Sequence, residues 1–290
     1  VDDLLDIFAT LFSGRTDAYG SWEGGCERSP VSRSTYAKHL WGQEYVGIYP
    51  LTDDDCVTWG CADIDTPDID QARNIQMAFA VKGIDSWIER TVKGYHVWVF
   101  ADGKVPAATM RRAMLVAYSV VHAPAKEINP KQERARGLGN YVRLPYPGAC
   151  LELPSSRYML ANDESPYPLK EFVSDAYESR AKLAQLTPLA EMWRPRRPAE
   201  FIATGEMLTP EAVKTMLAPY SLRIYLEGPL EGADRSTTLV RFAYKMRAEG
   251  QTPEMAYAIL RSADARWGKF WAREDGEEHL AKIISDVYGD

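Results

Sequence analysis

The chain has 290 residues, of which 46% are hydrophobic and 26% charged, and a formal net charge of -7. Such a composition fits a globular protein of one or two domains and excludes both a disulfide scaffold and a protein coated in basic surface, so nucleic-acid contacts require local patches. No apolar run has the length of a membrane span, and Val1-Asp2-Asp3 lacks the basic start of a signal peptide, so a soluble cytoplasmic protein is expected.

Residues 4–12 read as a short amphipathic helix, followed by a polar, Gly-rich loop in which Arg15 and Tyr19 are candidates for nucleic-acid contact. Residues 34–40 form a second predicted helix. Residues 46–49 and 57–59 read as two strands around the acidic turn Asp53-Asp54-Asp55, which predicts a hairpin. The second strand runs on into Asp63-Ile64-Asp65. Alternate strand residues share a face, so Asp63 and Asp65 point together while Ala62 and Ile64 bury on the other side. Paired carboxylates at a strand end suit hard divalent cations, and they equally suit an ordinary acidic turn before Thr66-Pro67.

Thr66-Pro67-Asp68 has the form of a helix start, with Thr66 as N-cap. A strand is predicted within residues 84–90, a turn at Thr91-Val92-Lys93-Gly94, and a strand at 95–100 with His96, Trp98 and Phe100 on one face and Tyr95, Val97 and Val99 on the other. Pro106 opens a helix to about residue 122 with Met110, Met114 and Ala117 at core spacing. Between Lys126 and Arg143 basic residues outnumber acidic ones, and a short strand is predicted at 141–144. The four cysteines, Cys26, Cys56, Cys61 and Cys150, are read as reduced core thiols; a zinc site with His39 or His122 lacks the close cysteine pair such sites use.

Asp63-Ile64-Asp65, Gly94-Tyr95-His96 and Glu127 follow one another in an order that resembles the catalytic core of the archaeo-eukaryotic primase superfamily: an Asp-x-Asp pair, a small-residue-x-His motif and a third carboxylate. Further likeness to its primase-polymerase branch, found in phage, plasmid and conflict-system proteins, lies in residues 11–17, 39–42, 46–51, 129–132 and 139–145. The resemblance implies an α+β, RRM-like catalytic core with mixed sheets flanked by helices. It implies catalysis by Asp63, Asp65 and Glu127 holding two Mg²⁺ or Mn²⁺ ions, with nucleoside triphosphates (dNTPs or NTPs) as substrates and single-stranded DNA as template. His96, Lys131, Arg143, Asn140 and Thr91 then contact the nucleotide, and Arg15, Arg134, Arg136 and Arg235 the nucleic acid. Many family members have Ser where this chain has Gly94, so a hydroxyl at the triphosphate is missing here or supplied by Thr91. The third carboxylate is Glu127 where others use Asp.

The catalytic domain is expected over 1–165, a Pro- and Arg-rich linker with one helix at 170–186 over 166–205, and a helical domain over 206–290. The last is similar to the C-terminal domain of phage and plasmid primases at residues 233–239 and 250–254, where Arg235, Arg241 and Lys245 are candidates for gripping template, and a replicative helicase is a possible partner. No Walker phosphate loop occurs in the sequence. The function expected is a template-directed primase-polymerase of a phage or other mobile element. The alternatives are a catalytically degenerate module that binds single-stranded DNA or a nucleotide, and an Asp-x-Asp phosphohydrolase.

Overall fold

A computed structural model describes residues 2–21, 25–121, 128–151, 157–194, 199–203, 207–229 and 234–289. The chain divides into two compact units, Val1–Arg194 and Pro195–Asp290. The first opens with α1 (Asp2–Leu11), β1 (Tyr19–Gly20), β2 (Cys26–Glu27), α2 (Arg33–Leu40) and β3 (Gly47–Ile48). It continues with β4 (Cys56–Ile64), α3 (Ile69–Ala80), β5 (Trp87–Arg90), β6 (Tyr95–Pro106), α4 (Ala107–Tyr118) and β7 (Ile128–Asn129), and ends with β8 (Val142–Arg143), β9 (Tyr158–Met159), α5 (Leu169–Glu178) and α6 (Leu183–Glu191).

Among the described residues these strands make two sheets, ordered β2-β1-β3-β8 and β7-β4-β6-β5-β9. The second contains β4-α3-β5-β6-α4-β7 with spatial order β7-β4-β6-β5. That is the split βαβ arrangement of ferredoxin-like and RRM-like domains, in which a third strand is inserted between the two joined by the first helix. The insertion explains why the sheets, expected to be mixed, pair antiparallel throughout: β4 and β5 are kept apart by β6, which opposes both. The one parallel pairing among the described residues is an isolated bridge between Ala101 and Ala181.

Strand alternation sorts the side chains into two cores. Ala62, Ile64, Tyr95, Val97 and Val99 face Ile75 and Phe79 of α3, Met110 and Met114 of α4, and Leu186 and Leu189 of α6. Trp59, Cys61, Trp98 and Phe100 face Phe8 and Phe12 of α1, Ile48 and Val142 of the smaller sheet, and Phe172 of α5. Each face of the larger sheet is therefore covered.

Several sequence expectations are corrected. The hairpin anticipated from residues 46–59 does not form: β3 pairs with β1 and β8, whereas β4 pairs with β6 and β7. The intervening residues carry the chain from one sheet to the other, and the tight turn at Thr52, whose N–H donates to Cys56 O at 2.9 Å, starts β4 afresh. The helix after the Asp pair is capped by Asp68, which accepts from the Asp70 N–H, not by Thr66. Residues 166–205, anticipated as a linker, carry α5 and α6, whose apolar faces complete the two cores. The single helix expected there is broken because Ala181 turns to pair with β6, its N–H donating to Phe100 O at 2.8 Å. Of the four cysteines, all free, Cys61 alone is buried.

The second unit is helical among its described residues: α7 (Pro210–Met216), α8 (Pro219–Glu227), α9 (Arg235–Ala248), α10 (Pro253–Trp267) and α11 (Gly276–Tyr288). Its starts are written in the sequence. Thr209 and Thr252 cap α7 and α10 through their hydroxyls, each followed by Pro at the first helical position, and Asp234 caps α9. Leu239, Phe242, Met246, Ile259, Leu260 and Ile284 fill its core. No helix among the described residues is long and apolar enough to cross a membrane.

Candidate functional site: a cleft between the two sheets

The end of β4, the β5–β6 turn and β8 surround a cleft of about 470 Å³, within the size range of small-ligand sites. Asp63, Asp65, Thr91, His96 and Arg143 line it. The structure thus brings together five of the residues singled out in the sequence, from three separate stretches. His39, Lys93 and Arg157, which the sequence reading did not name for the site, line it as well.

Register explains the gathering. Asp63 pairs with His96 across β4 and β6, and His96 pairs with Glu89 across β6 and β5, so Asp63, His96 and Glu89 form one row on the same face of the sheet. His96 Nε2 lies 3.5 Å from Asp63 Oδ1, and its Nδ1 lies 2.9 Å from Glu89 Oε2. Burial works against a charged ring, while negative charge on Cys61 and Glu89 and the contact with Asp63 favour it; the balance holds His96 well above the ordinary histidine value. The Cys61 thiol is itself pushed up by burial and is neutral at neutral pH, so the two carboxylates carry the effect. Burial alone would raise Glu89, but Arg157 and then His96 hold it below the usual carboxylate range.

Gly94 is shaped by space. A Cβ there would stand 2.0 Å from Ile64 O, 2.8 Å from Thr66 O and 2.9 Å from Thr66 N. The β5–β6 turn therefore lies directly against the backbone that carries Asp65. Thr91 closes the turn: its N–H donates to Gly94 O at 2.9 Å and its Oγ1 accepts the Gly94 N–H at 3.1 Å. The Thr91 hydroxyl proton is left for another acceptor.

His39 is a structural member of the cleft wall. Its Nε2 donates to Pro145 O at 2.8 Å and its Nδ1 accepts the Val46 N–H at 3.1 Å, which fixes a neutral ring. Burial lowers its pKa to about 4. Between that value and the ordinary 6.5 only the unfolded chain takes up the proton, so this contribution to stability is full above about 6.5 and falls as pH drops toward 4. Urea unfolding should show wild-type protein losing about 2 kcal/mol more than H39Q between pH 7 and pH 5. Equal losses would remove the assignment.

Other anticipated residues lie elsewhere. The Arg15 side chain is only 11% exposed and is held by Asp17 at 2.7 Å and Asp53 at 3.0 Å, so its charge is matched within the protein and it is not placed to meet nucleic acid. Arg134 and Arg136 are exposed, but the Ala135 N–H between them donates to Asp55 Oδ1 at 2.6 Å. Asp55 precedes β4 at its far end, roughly 26 Å from Asp63 at the usual rise per strand residue. The basic stretch is thus divided, with Arg143 at the cleft and Arg134 and Arg136 remote from it. Lys131 is half-buried and Asn140 exposed, and neither lines the cleft. In the second unit Arg235 donates to Trp267 O and Gly268 O, both at 3.0 Å, and so closes the C-terminal end of α10. Glu127 lies outside the described residues.

A family profile described as "TOTE conflict system, Archaeo-Eukaryotic Primase domain" matches residues 24–172, just over half of the chain. The chain belongs to this family. Every described cleft residue named above falls inside the matched span of the primase domain. Among solved structures, the crystal structure of primase RepB' is similar at 12% identity, over 98% of this chain and 93% of that one, with a TM-score of 0.32. No curated protein matches the chain.

Besides His39 and Lys93, sequence reading missed Arg157 and the residue behind the cleft that holds it, Glu89. Glu89 shares the face of Trp87 in a short strand, a carboxylate beside an aromatic, and that alternation is its one local signal. Arg157 follows a Pro-Ser stretch with no pattern at all.

Proposed function

We propose that this primase domain is a template-directed nucleotidyltransferase that makes and extends primers on single-stranded DNA from nucleoside triphosphates. The observation that carries the reading is a cleft lined by two carboxylates, Asp63 and Asp65, beside His96, together with the cationic side chains of Lys93 and Arg143; the third cation, Arg157, is already matched by Glu89. Cations suit a triphosphate, and a pair of carboxylates suits divalent metal.

The donor set fits such a metal. Among the described residues no three His, Cys, Asp or Glu side chains gather at one point, but Asp63 and Asp65 both open to the cleft, and Mg²⁺ is commonly held by one or two carboxylates plus phosphate oxygens and water. Bound there, Mg²⁺ or Mn²⁺ would supply activation of the attacking hydroxyl and neutralisation of the leaving group. Glu127 remains our candidate for a third carboxylate; it directly precedes Ile128, whose register partner is Ala62, the neighbour of Asp63. His96 presents Nε2 to a phosphate of the incoming nucleotide. Arg143 and Lys93 neutralise the rest of its charge, Arg in a fork and Lys as a point charge. Thr91 supplies the hydroxyl that the family's Ser provides at the position of Gly94. A role in the mobility or defence of a genetic element rests on the family alone.

The experiment is product analysis with labelled dNTPs or NTPs, Mg²⁺ or Mn²⁺, and single-stranded DNA of defined sequence. Products whose composition follows the template support the proposal. Template-independent release of phosphate would instead mark a phosphohydrolase, and binding without any product would mark a degenerate module; either result overturns it.

A further inference from the structure

Glu89 has no exposed surface. Its Oε2 lies 2.7 Å from Trp98 Nε1 and 2.9 Å from His96 Nδ1, and its Oε1 takes Arg157 Nε at 2.8 Å and Nη2 at 2.7 Å. A carboxylate buried this far among aromatics is costly unless fully matched, and packing alone does not call for one. Here both oxygens are matched, and two of the three partners, His96 and Arg157, line the cleft, while Trp98 anchors the carboxylate in the core.

An ionised carboxylate only accepts, so His96 Nδ1 carries a proton and the ring is held with Nε2 turned outward, beside Asp63. Arg157 Nη2 stands 3.3 Å from the same Nδ1; with both nitrogens donors, that approach confines the ring without a hydrogen bond. Arg157 Nη2 also donates to Arg143 O at 3.1 Å. One guanidinium therefore joins Glu89 in the larger sheet to the backbone of β8 in the smaller one, across the base of the cleft.

We infer that Glu89 and Arg157 are positioning residues for nucleotide binding: Glu89 fixes the orientation of the His96 ring, with Nδ1–H on the carboxylate and Nε2 toward the cleft, and Arg157 fixes the spacing of the two cleft walls. Neither touches substrate. The inference rests on the cleft being a nucleotide site, and it predicts that Glu89 acts through His96.

That dependence is testable by a double-mutant cycle in the full chain. The affinity of a fluorescent deoxynucleoside triphosphate in Mg²⁺ is measured by anisotropy for wild type, E89A, H96A and E89A/H96A, with a thermal melt of each. E89A and H96A should each weaken binding by about ten- to a hundredfold, and the double variant should lose clearly less than the product of the two single losses, the remainder being the part of Glu89 that acts through Arg157. E89Q keeps one oxygen for the Trp98 and His96 donors but sets an NH₂ group against Arg157, so it should recover part of the affinity lost in E89A. In steady-state incorporation the nucleotide KM should rise more than kcat falls. If E89A does not fold, E89Q and E89Q/H96A carry the same cycle. A mere loss of fold would lower the melting temperature and multiply with H96A; multiplied losses overturn the inference. Coupled losses in a protein that incorporates nothing would overturn the polymerase reading and leave the positioning role standing.

Discussion

Alanine at both Asp63 and Asp65 is expected to lower template-directed incorporation by about a thousandfold or more, because removal of even one group that stabilises transition-state charge typically costs a hundred- to a thousandfold. These two are the only acidic side chains among the described residues lining the cleft, and the candidate third carboxylate, Glu127, would be left without either partner. The fold should tolerate the change. Asp65 is exposed and the Asp63 side chain is 30% exposed, so loss of stability should stay within about 1 kcal/mol. Lys93 and Arg143 remain, so affinity for a nucleoside triphosphate measured without metal should hold or tighten. Gel analysis of primer products, a thermal melt and a nucleotide titration test the three parts together. Incorporation within tenfold of wild type would sink the proposal, since nothing else described in the cleft can seat a divalent ion.

Placing serine at position 94 is the second large effect, and its direction runs against intuition. G94S should not improve incorporation. The nearest atoms to a new Cβ belong to backbone, with Ile64 O at 2.0 Å, so the side chain cannot be absorbed by a rotamer change. Either the β5–β6 turn or the segment of Ile64 to Thr66 must move. Overpacking of this kind costs about 1–3 kcal/mol, and a shift of about 1 Å at Asp65 costs about a hundredfold in rate. We therefore expect a lower melting temperature and a loss of incorporation of about a hundredfold, with T91A impaired as well through loss of the turn's hydroxyl. A G94S protein as stable and active as wild type would show that the close approach does not govern the site.

The parts of this fold legible in the sequence are those set by alternation and capping. The faces of residues 57–64 and 95–100 follow from a period of two, and the caps at Thr209 and Thr252 from Thr-Pro-Glu. Strand pairing was less legible. Residues 46–49 and 57–59 look like a hairpin because sequence neighbours usually pair, yet each joins a different sheet through partners far away in the chain. Site residues divide the same way. Asp63, Asp65 and His96 were found through ordered motifs, and Thr91 and Arg143 through their place beside them. Arg15 and Arg235 were named for their charge and their place in segments resembling the family, and Arg134 and Arg136 for a basic stretch; neither signal reveals that Asp17 or a helix end has already engaged the charge. Glu89 and Arg157 could not be inferred, because their meaning is a pairing across 68 residues.

The row of Asp63, His96 and Glu89 ties chemistry to β-sheet alignment. A one-residue slip of β6 against its neighbours would turn His96 toward Ile75 and Phe79 and send Tyr95 or Val97 to face Asp63. There is no partly aligned version of the site. The four-residue turn from Thr91 to Gly94 is thus also a counting device, and inserting a single residue in it would leave a protein with its helices and sheets but without a nucleotide-facing histidine. Copies that fold in the wrong alignment are inert rather than error-prone, a useful property in a protein proposed to write nucleic acid.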